Sequence, residues 1–309
     1  MPPGRVRVFE PGDIPQVAAL RRRLFPVCAP PSQAAEEAYF DLIFFRNPWR
    51  ALDLPAHVYE DRSGRITGFL GVIPRPMRYK GEPVRLAVST QYMAEPGPAS
   101  IQLLARHLDG PQDLGFTDLA NDTARTMWQG LGGDAALIYS LYWDVPLRPA
   151  RHALSLLGEH SAVRAVRLAA RPLVAAMDKA RRAAAKGARR FQRPGGLRTT
   201  SLEARDIVEL LPATTAGHTL VPVYDEAAVR WLLDRLEERY GPGSVRGRVV
   251  RESDGQPVGW YLYQRYGLVA EVVQIAARGR RWSDVLQVLL ADGWDDGLAL
   301  VTGRLEPAH

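Results

Sequence analysis

Leu114-Gly-Phe-Thr-Asp-Leu-Ala-Asn-Asp-Thr-Ala-Arg-Thr-Met-Trp-Gln-Gly-Leu-Gly132-Gly133 is the most informative stretch of this chain. Leu114–Leu119 reads as a strand. Asn121 or Asp122 then stands at a cap position, where a short polar side chain accepts a hydrogen bond from the free N–H groups of a first helical turn. The helix so started covers Asp122–Leu131 and stops at Gly132-Gly133, because glycine admits the conformation that closes a helix. Ala136–Trp143 reads as the next strand.

Upstream, a short strand at Arg5–Phe9 precedes Asp13 at a cap position and Pro15 in a first helical turn, with the helix reaching Leu24. A second helix spans Gln33–Arg46, offers Tyr39, Leu42, Ile43 and Phe45 to one face, and ends at Asn47-Pro48. Three strand-like runs follow, Ala56–Asp61, Ile66–Pro74 and Val84–Ala94, separated by Gly-bearing turns. They predict a meander of antiparallel hairpins. Pro96 and Pro98 end the third strand, and Ser100–Leu108 resumes a helical pattern. Helices, then a meander, then strand–helix units make this an α/β chain with a mixed sheet.

Downstream, residues 151–193 are dominated by Ala, Leu and Arg, with Val163, Val166, Leu168 and Leu173, Val174, Met177 at helical spacing. This segment holds eleven Lys or Arg against two acids, and Pro194-Gly195-Gly196 closes it. The chain's formal charge of +6 is therefore +9 here and −3 elsewhere. Past Thr200 the first pattern returns: a capped helix from Asp225, then strands at Val245–Glu252, Val258–Gln264 and Val269–Ala276, a helix at Ser283–Gly293 and a strand at Leu298–Val301. Gly64 and Gly68 line up with Gly255 and Gly259, 191 residues later. The reading is an internal duplication, with domains at 1–148 and 199–309 joined by a basic helical connector at 149–198. The second copy is expected to lack the last helix and strand of the first.

The 309 residues, 46% apolar and 24% charged, suffice for sizeable cores and lie outside disordered compositions. Cys28 is the only cysteine, which excludes an intramolecular disulfide. The N-terminus lacks a signal-peptide core and no apolar run approaches the roughly 20 residues that span a bilayer, so the expected location is cytoplasmic. There is no Gly-x-x-x-x-Gly-Lys-Ser/Thr loop, Gly-x-Ser-x-Gly elbow or His-Glu-x-x-His helix. The six histidines show no metal-ligand spacing, and no metal is expected.

A strand leading to Asn121, with Ala124 three residues on, Trp128 seven on and Gly132 eleven on, resembles the fifth-strand and fourth-helix segment of the GNAT acyltransferase superfamily. The Val58–Gly71 hairpin resembles that superfamily's second and third strands, and Val88-Ser-Thr-Gln-Tyr-Met-Ala-Glu-Pro96 resembles its fourth. The likeness covers about residues 5–145 closely and 200–305 loosely, as in tandem GNAT proteins and the two-domain amino-acyl ligases.

The resemblance implies parallel fourth and fifth strands that splay apart, freeing backbone groups to pair with pantetheine, and a helix N-terminus that receives the pyrophosphate. On this chain it implies Tyr92, Met93 and Ala94 at the pantetheine edge, Gly97 to Ser100 at the pyrophosphate turn, and Asn121, Ala124 and Trp128 facing the cofactor. The helix-cap reading of Asn121 stands beside that role. Acetyl-CoA or another acyl-CoA is the implied co-substrate, with Glu95 as candidate base and Tyr92 and Tyr139 as candidate acids. Two departures are visible. Glu95-Pro-Gly-Pro-Ala-Ser-Ile-Gln is shorter than the superfamily's loop, lacks its basic residue, and holds two prolines with no N–H for a phosphate. Trp128 stands where many members place a tyrosine, and an indole N–H delivers no proton near neutral pH.

The expected activity is N-acyl transfer from CoA or a carrier thioester to an amine borne by a small molecule or peptide. Two other readings stay open: a non-catalytic GNAT-like binding or scaffold protein, and an amino-acyl transferase taking its donor from tRNA. The basic segment at 151–193 is either a solvated helix face or a contact for an acidic carrier protein, tRNA or an anionic membrane.

Overall fold

Ile66–Tyr79 (β3) turns successive side chains to opposite faces of a sheet, and both faces are covered. The computed structural model describes residues 4–26, 32–117, 120–156, 170, 172–180 and 191–306. On one face Phe69 receives Phe9, Phe40 and Phe44 edge-on, with ring centroids 4.9, 5.5 and 5.3 Å away. On the other, Leu70 and Val72 pack with Ala99, Leu103 and Leu104. Edge-to-face contact suits the ring quadrupoles, and each fully buried side chain of this size contributes about 1.5–3 kcal/mol.

The chain forms two units: Met1–Ala135 with His218–Tyr224, and Ala136–Gly217 with Asp225–His309. The boundary read at 148 thus compares with a division after Ala135. The first unit's sheet runs β1 (Arg5–Val8), β2 (His57–Glu60), β3, β4 (Glu82–Ala94), β5 (Leu114–Phe116). Every pair is antiparallel except β4 with β5. Helices α1 (Ile14–Leu24) and α2 (Gln33–Phe44) cover the phenylalanine face, while α3 (Ala99–Leu108) and α4 (Asp122–Gly130) follow β4 and β5. Ser32 caps α2 through the Ala35 N–H at 3.1 Å. Asp13 does not cap α1 with its side chain; it turns back to accept the Glu10 N–H at 2.9 Å and pairs with Arg7 at 2.6 and 2.8 Å.

The second unit's sheet runs β6 (Tyr142–Pro146), β12 (Leu300–Arg304), β11 (Val269–Ala277), β10 (Pro257–Tyr266), β9 (Val245–Arg251), β7 (Arg198–Ser201). Only β11 and β12 are parallel. Helices α6 (Ala204–Thr214), α7 (Glu226–Tyr240) and α8 (Trp282–Asp295) belong here, and Tyr261, Val285, Val288, Leu289 and Leu298 lie in its core.

Beyond β7 and α6, for which the sequence reading had no element, two strands depart from it. The strand expected over Ala136–Trp143 is displaced to β6 and pairs antiparallel with β12, Tyr142 opposite Arg304 and Pro146 opposite Leu300. The edge position that the sequence reading left vacant in the C-terminal region is therefore filled by residues that follow α4. Gly303 explains the fit. A Cβ there would stand 2.6 Å from the Trp143 ring, whose Nε1 donates to the Arg304 carbonyl at 3.1 Å. Conversely β8 (Leu220–Pro222), which the pattern did not single out, extends the first sheet along Met77–Tyr79 of β3.

Little of the basic connector is described. Pro149–Leu156 is helix α5, and the buried Asp178 carboxylate accepts the Ala150 and Arg151 N–H groups of its first turn, each at 3.0 Å. A carboxylate at that end suits the helix dipole. Arg148 lies over the Trp294 ring at 3.9 Å, and Phe191 stacks with the same ring. Eight of the segment's eleven cations, namely Arg164, Arg167, Arg171, Arg181, Arg182, Lys186, Arg189 and Arg190, lie outside the described residues, as does Cys28. The partner readings for residues 151–193 concern a segment that lies largely outside the described residues.

The aligned glycines do the same work in both sheets. Gly68 faces Tyr59 and Ala94, and Gly259 faces Val250 and Ala277. A Cβ on Gly68 would meet Leu103 of α3 at 2.8 Å, and one on Gly259 would meet the Ala276 carbonyl at 2.2 Å and Val285 of α8 at 2.9 Å. Backbone cannot yield as a flexible side chain does, so Gly259→Ala is expected to destabilise the second unit by about 1–3 kcal/mol in urea unfolding. An unchanged midpoint would refute this account of the strand–helix contact.

Candidate functional site

The pairing of β4 with β5 ends at Val88 opposite Phe116. Beyond it, β4 continues through Ser89–Ala94 while the chain after β5 turns into α4. A cleft of about 730 Å³ opens between them, within the size range of small-molecule sites. Its walls are Ser89–Gly97 and Ser100 on one side, Thr117, Ala120, Asn121, Thr123, Ala124, Met127 and Trp128 on the other, and Arg21, Leu24 and Phe25 from α1.

A β-bulge shapes the floor. Phe69 pairs with Met93 and Gly71 with Thr90, so Gln91 and Tyr92 together stand against Leu70. Gln91 takes φ +52°, a left-handed conformation costly for a residue with a Cβ. Its side chain holds the bulge by donating Nε2 to the Tyr39 hydroxyl at 3.0 Å. The Tyr92 hydroxyl lies 3.8 Å from Met127 Sδ. Burial pushes its pKa above the ordinary tyrosine range, and a hydrogen bond with Ser100 opposes this.

At the end of β4, Pro98 caps α3 and Gly97 takes φ +142°. The first-turn N–H groups of Ala99 and Ser100 follow, while Pro96 and Pro98 offer none. Across the cleft, Asn121 is the N-cap of α4: its Oδ1 accepts the Ala124 N–H at 2.8 Å. The cap uses Oδ1 and leaves Nδ2 as the donor for anything placed in the cleft.

Trp128 anchors α4. Its ring meets His107 edge-on at 5.5 Å and packs on the Leu103 and Leu104 cluster. Burial pushes the His107 pKa down to about 4, so the imidazole against the indole is neutral. His57, also buried, is likewise lowered to about 4 by burial and by the nearby Arg106 and His107.

Nine of the ten side chains expected at the site line this one cleft: Tyr92, Met93, Ala94, Glu95, Gly97, Ser100, Asn121, Ala124 and Trp128. Tyr139 does not. It sits on a 3₁₀ turn, Ile138–Ser140, in the second unit, 55% exposed, because the chain leaves the first unit after Ala135. Glu95 is committed elsewhere: Arg23 donates to Oε1 at 2.8 Å and Arg65 to Oε2 at 2.8 Å.

The sequence reading missed these arginines. Three consecutive residues on a helix span about 200° of its circumference, so Arg21, Arg22 and Arg23 cannot share one solvated face. Arg21 lines the cleft and donates to the fully buried Glu36 at 2.5 Å, with Arg22 3.6 Å from the same carboxylate. Arg23 turns to Glu95. Among the described residues no three His, Cys, Asp or Glu side chains converge as a metal site would need, and no helix is long and apolar enough to cross a membrane.

No protein-family model matches the sequence, and comparison with curated proteins gives no match. Solved structures do resemble it. A conserved Enterococcus faecalis protein of unknown function, described as a probable N-acyltransferase, aligns with a TM-score of 0.59 at 10% identity, covering 97% of this chain and 64% of that one. A GCN5-related N-acetyltransferase from Kribbella flavida aligns at 0.57 with 13% identity, covering 99% and 65%. Another, from Anabaena variabilis, aligns at 0.55 with 12% identity, covering 97% and 65%. This chain has the GNAT fold, and it spans just under two thirds of the length of these structures.

The two buried histidines give the fold a pH dependence. Unfolded histidines take up protons below about pH 6.5, whereas His57 and His107 in the folded chain do so only near 4. Between those values the unfolded state binds more protons, so stability falls on acidification, by on the order of 3 kcal/mol per histidine at the lower end. Urea unfolding at pH 6.5 and 4.5 is expected to show this loss, and His107→Phe to remove about half of it. An equal loss in the variant would exclude His107 as a source.

Proposed function

We propose that this protein is an N-acyltransferase whose first unit takes an acyl-CoA thioester in the cleft between β4 and β5 and passes the acyl group to an amine. The observation that carries this reading is the backbone of Ser89–Ala94, which the bulge at Gln91 and the end of the β4–β5 pairing leave facing the cleft instead of a neighbouring strand. Buried backbone groups demand partners, and the amides of a pantetheine arm supply them. Met93 and Ala94 present that edge. Gly97 and Ser100 receive the pyrophosphate at the start of α3, where the helix dipole favours an anion. Asn121, Ala124 and Trp128 form the opposite wall.

In this reading the acceptor nitrogen attacks the thioester carbonyl carbon, the C–S bond breaks, and the departing thiolate needs a proton. Tyr92 supplies it. Burial keeps its phenol protonated, and it is the cleft's phenol, since Trp128 cannot act as an acid and Tyr139 lies outside. Glu95, held by two guanidiniums, is given no proton to carry, and the ammonium proton leaves to solvent. The second unit repeats the pairing of its aligned glycine and a register shift between Leu262 and Tyr263 of β10, which supports an origin by duplication.

Titration calorimetry with acetyl-CoA and with a long-chain acyl-CoA tests the reading and sizes the acyl group. Binding of at least one is expected, with thiol release when a suitable amine is present. Tyr92→Phe should lower kcat by about 10²-fold or more while donor affinity stays within a few-fold. Failure of the folded protein to bind either thioester would overturn the proposal.

A further inference from the structure

The cleft has an unsolved electrostatic problem. Coenzyme A carries several negative charges on its phosphates, and the β4–α3 loop offers no cation between Glu95 and Gln102 and two prolines where N–H groups would help. Two cations reach the loop's first residue, Glu95, from distant places in the sequence. Arg23 ends α1, and Arg65 stands on the β2–β3 turn. They meet on one carboxylate, Glu95, which itself lines the cleft immediately before Pro96-Gly97-Pro98.

The pairs around the cleft divide by exposure. Arg21 and Arg22 share Glu36, which is completely buried, and their side chains are 15% and 35% exposed. Freeing either would strand a buried carboxylate, which is strongly destabilising. Arg23 and Arg65 are 46% and 54% exposed, and Arg65 also lies 3.4 Å from Asp61. Ion pairs whose cations are this exposed contribute little to stability and open readily. A carboxylate between two guanidiniums also has the geometry of a phosphate between two guanidiniums, since the planar fork serves both anions.

We infer that Arg23 and Arg65 are the phosphate-binding residues of the donor cleft, and that Glu95 is a resident anion that yields them when a diphosphate arrives at the start of α3. The inference rests on the acyl-CoA reading above and assigns the ligand's charged half to residues outside the loop. It gives the loop's missing basic residue a cause: the positive charge stands on α1 and the β2–β3 turn instead. Glu95 then tunes affinity, because every diphosphate that binds must displace its carboxylate.

The test separates charge from the rest of the ligand. Calorimetry with CoA, with pantetheine, which lacks the phosphates, and with inorganic pyrophosphate is run on the wild type, on R23Q/R65Q and on E95Q. Expected are at least a ten-fold loss of CoA and pyrophosphate affinity in R23Q/R65Q with pantetheine affinity unchanged, and a several-fold gain for pyrophosphate in E95Q. CoA binding equally tight in R23Q/R65Q would overturn the inference and leave the acyl-CoA reading standing. Pyrophosphate binding to neither the wild type nor E95Q would also overturn it, while binding of an acyl-pantetheine thioester decides the broader reading separately. Should R23Q/R65Q fail to fold, E95Q decides alone: pyrophosphate affinity unchanged or weakened rejects the role.

Discussion

Gln91 is held in a left-handed conformation by a hydrogen bond to the Tyr39 hydroxyl, and the candidate site is built on that residue. A bulge puts two residues of β4 opposite one of β3, bends the strand and strengthens its twist. Only three pairs join β4 to β5 before the strands part, and the cleft is the space that parting leaves. The strain at Gln91 is set against the packing of α2, because Tyr39 belongs to the helix whose phenylalanines close on Phe69. The aromatic cluster around Phe69 and the cleft are thus tied through one polar contact.

Each wall of the cleft holds itself in place before any ligand enters. Asn121 caps α4, Trp128 leans on a neutral His107, and Pro98 starts α3. The charged groups are paired in advance as well, Arg21 and Arg22 with Glu36 and Arg23 and Arg65 with Glu95. A site so organised loses little conformational freedom on binding, which favours affinity. The exposed pair differs from the buried one in that it can be exchanged for a ligand's charge at small cost.

Strand exchange shapes the two sheets. Tyr142–Pro146 leaves the first unit's βα units and pairs with β12, where Gly303 makes room for Trp143. Leu220–Pro222 lies along β3 instead of joining the second sheet. Backbone hydrogen bonds do not depend on which stretch of the chain a strand came from, so short segments settle wherever register and side-chain volume allow.

Much of the fold was legible because it is local. Periodicity located the meander and most helices, though not Ala204–Thr214; a cap at Asn121 or Asp122 was legible; and the spacing of Gly64 and Gly68 with Gly255 and Gly259 picked out two hairpins of like pairing. The same local signals gathered nine of ten expected residues at one cleft, since all nine stand on two short segments flanking the β4–β5 junction, Tyr92–Ser100 and Asn121–Trp128, with Tyr139 the exception beyond Ala135. What stayed hidden depends on contacts between residues far apart in the chain: the partner of Tyr142–Pro146, the grip of Arg23 and Arg65 on Glu95, the bond from Gln91 to Tyr39. The sequence by itself determined the elements and the strand–cap–helix pattern, because φ/ψ preference and hydrophobic period act over a few residues. Only the tertiary structure decided which strand joins which sheet and which cations reach Glu95, because those follow from packing between residues 30 to 162 positions apart, where no local signal survives.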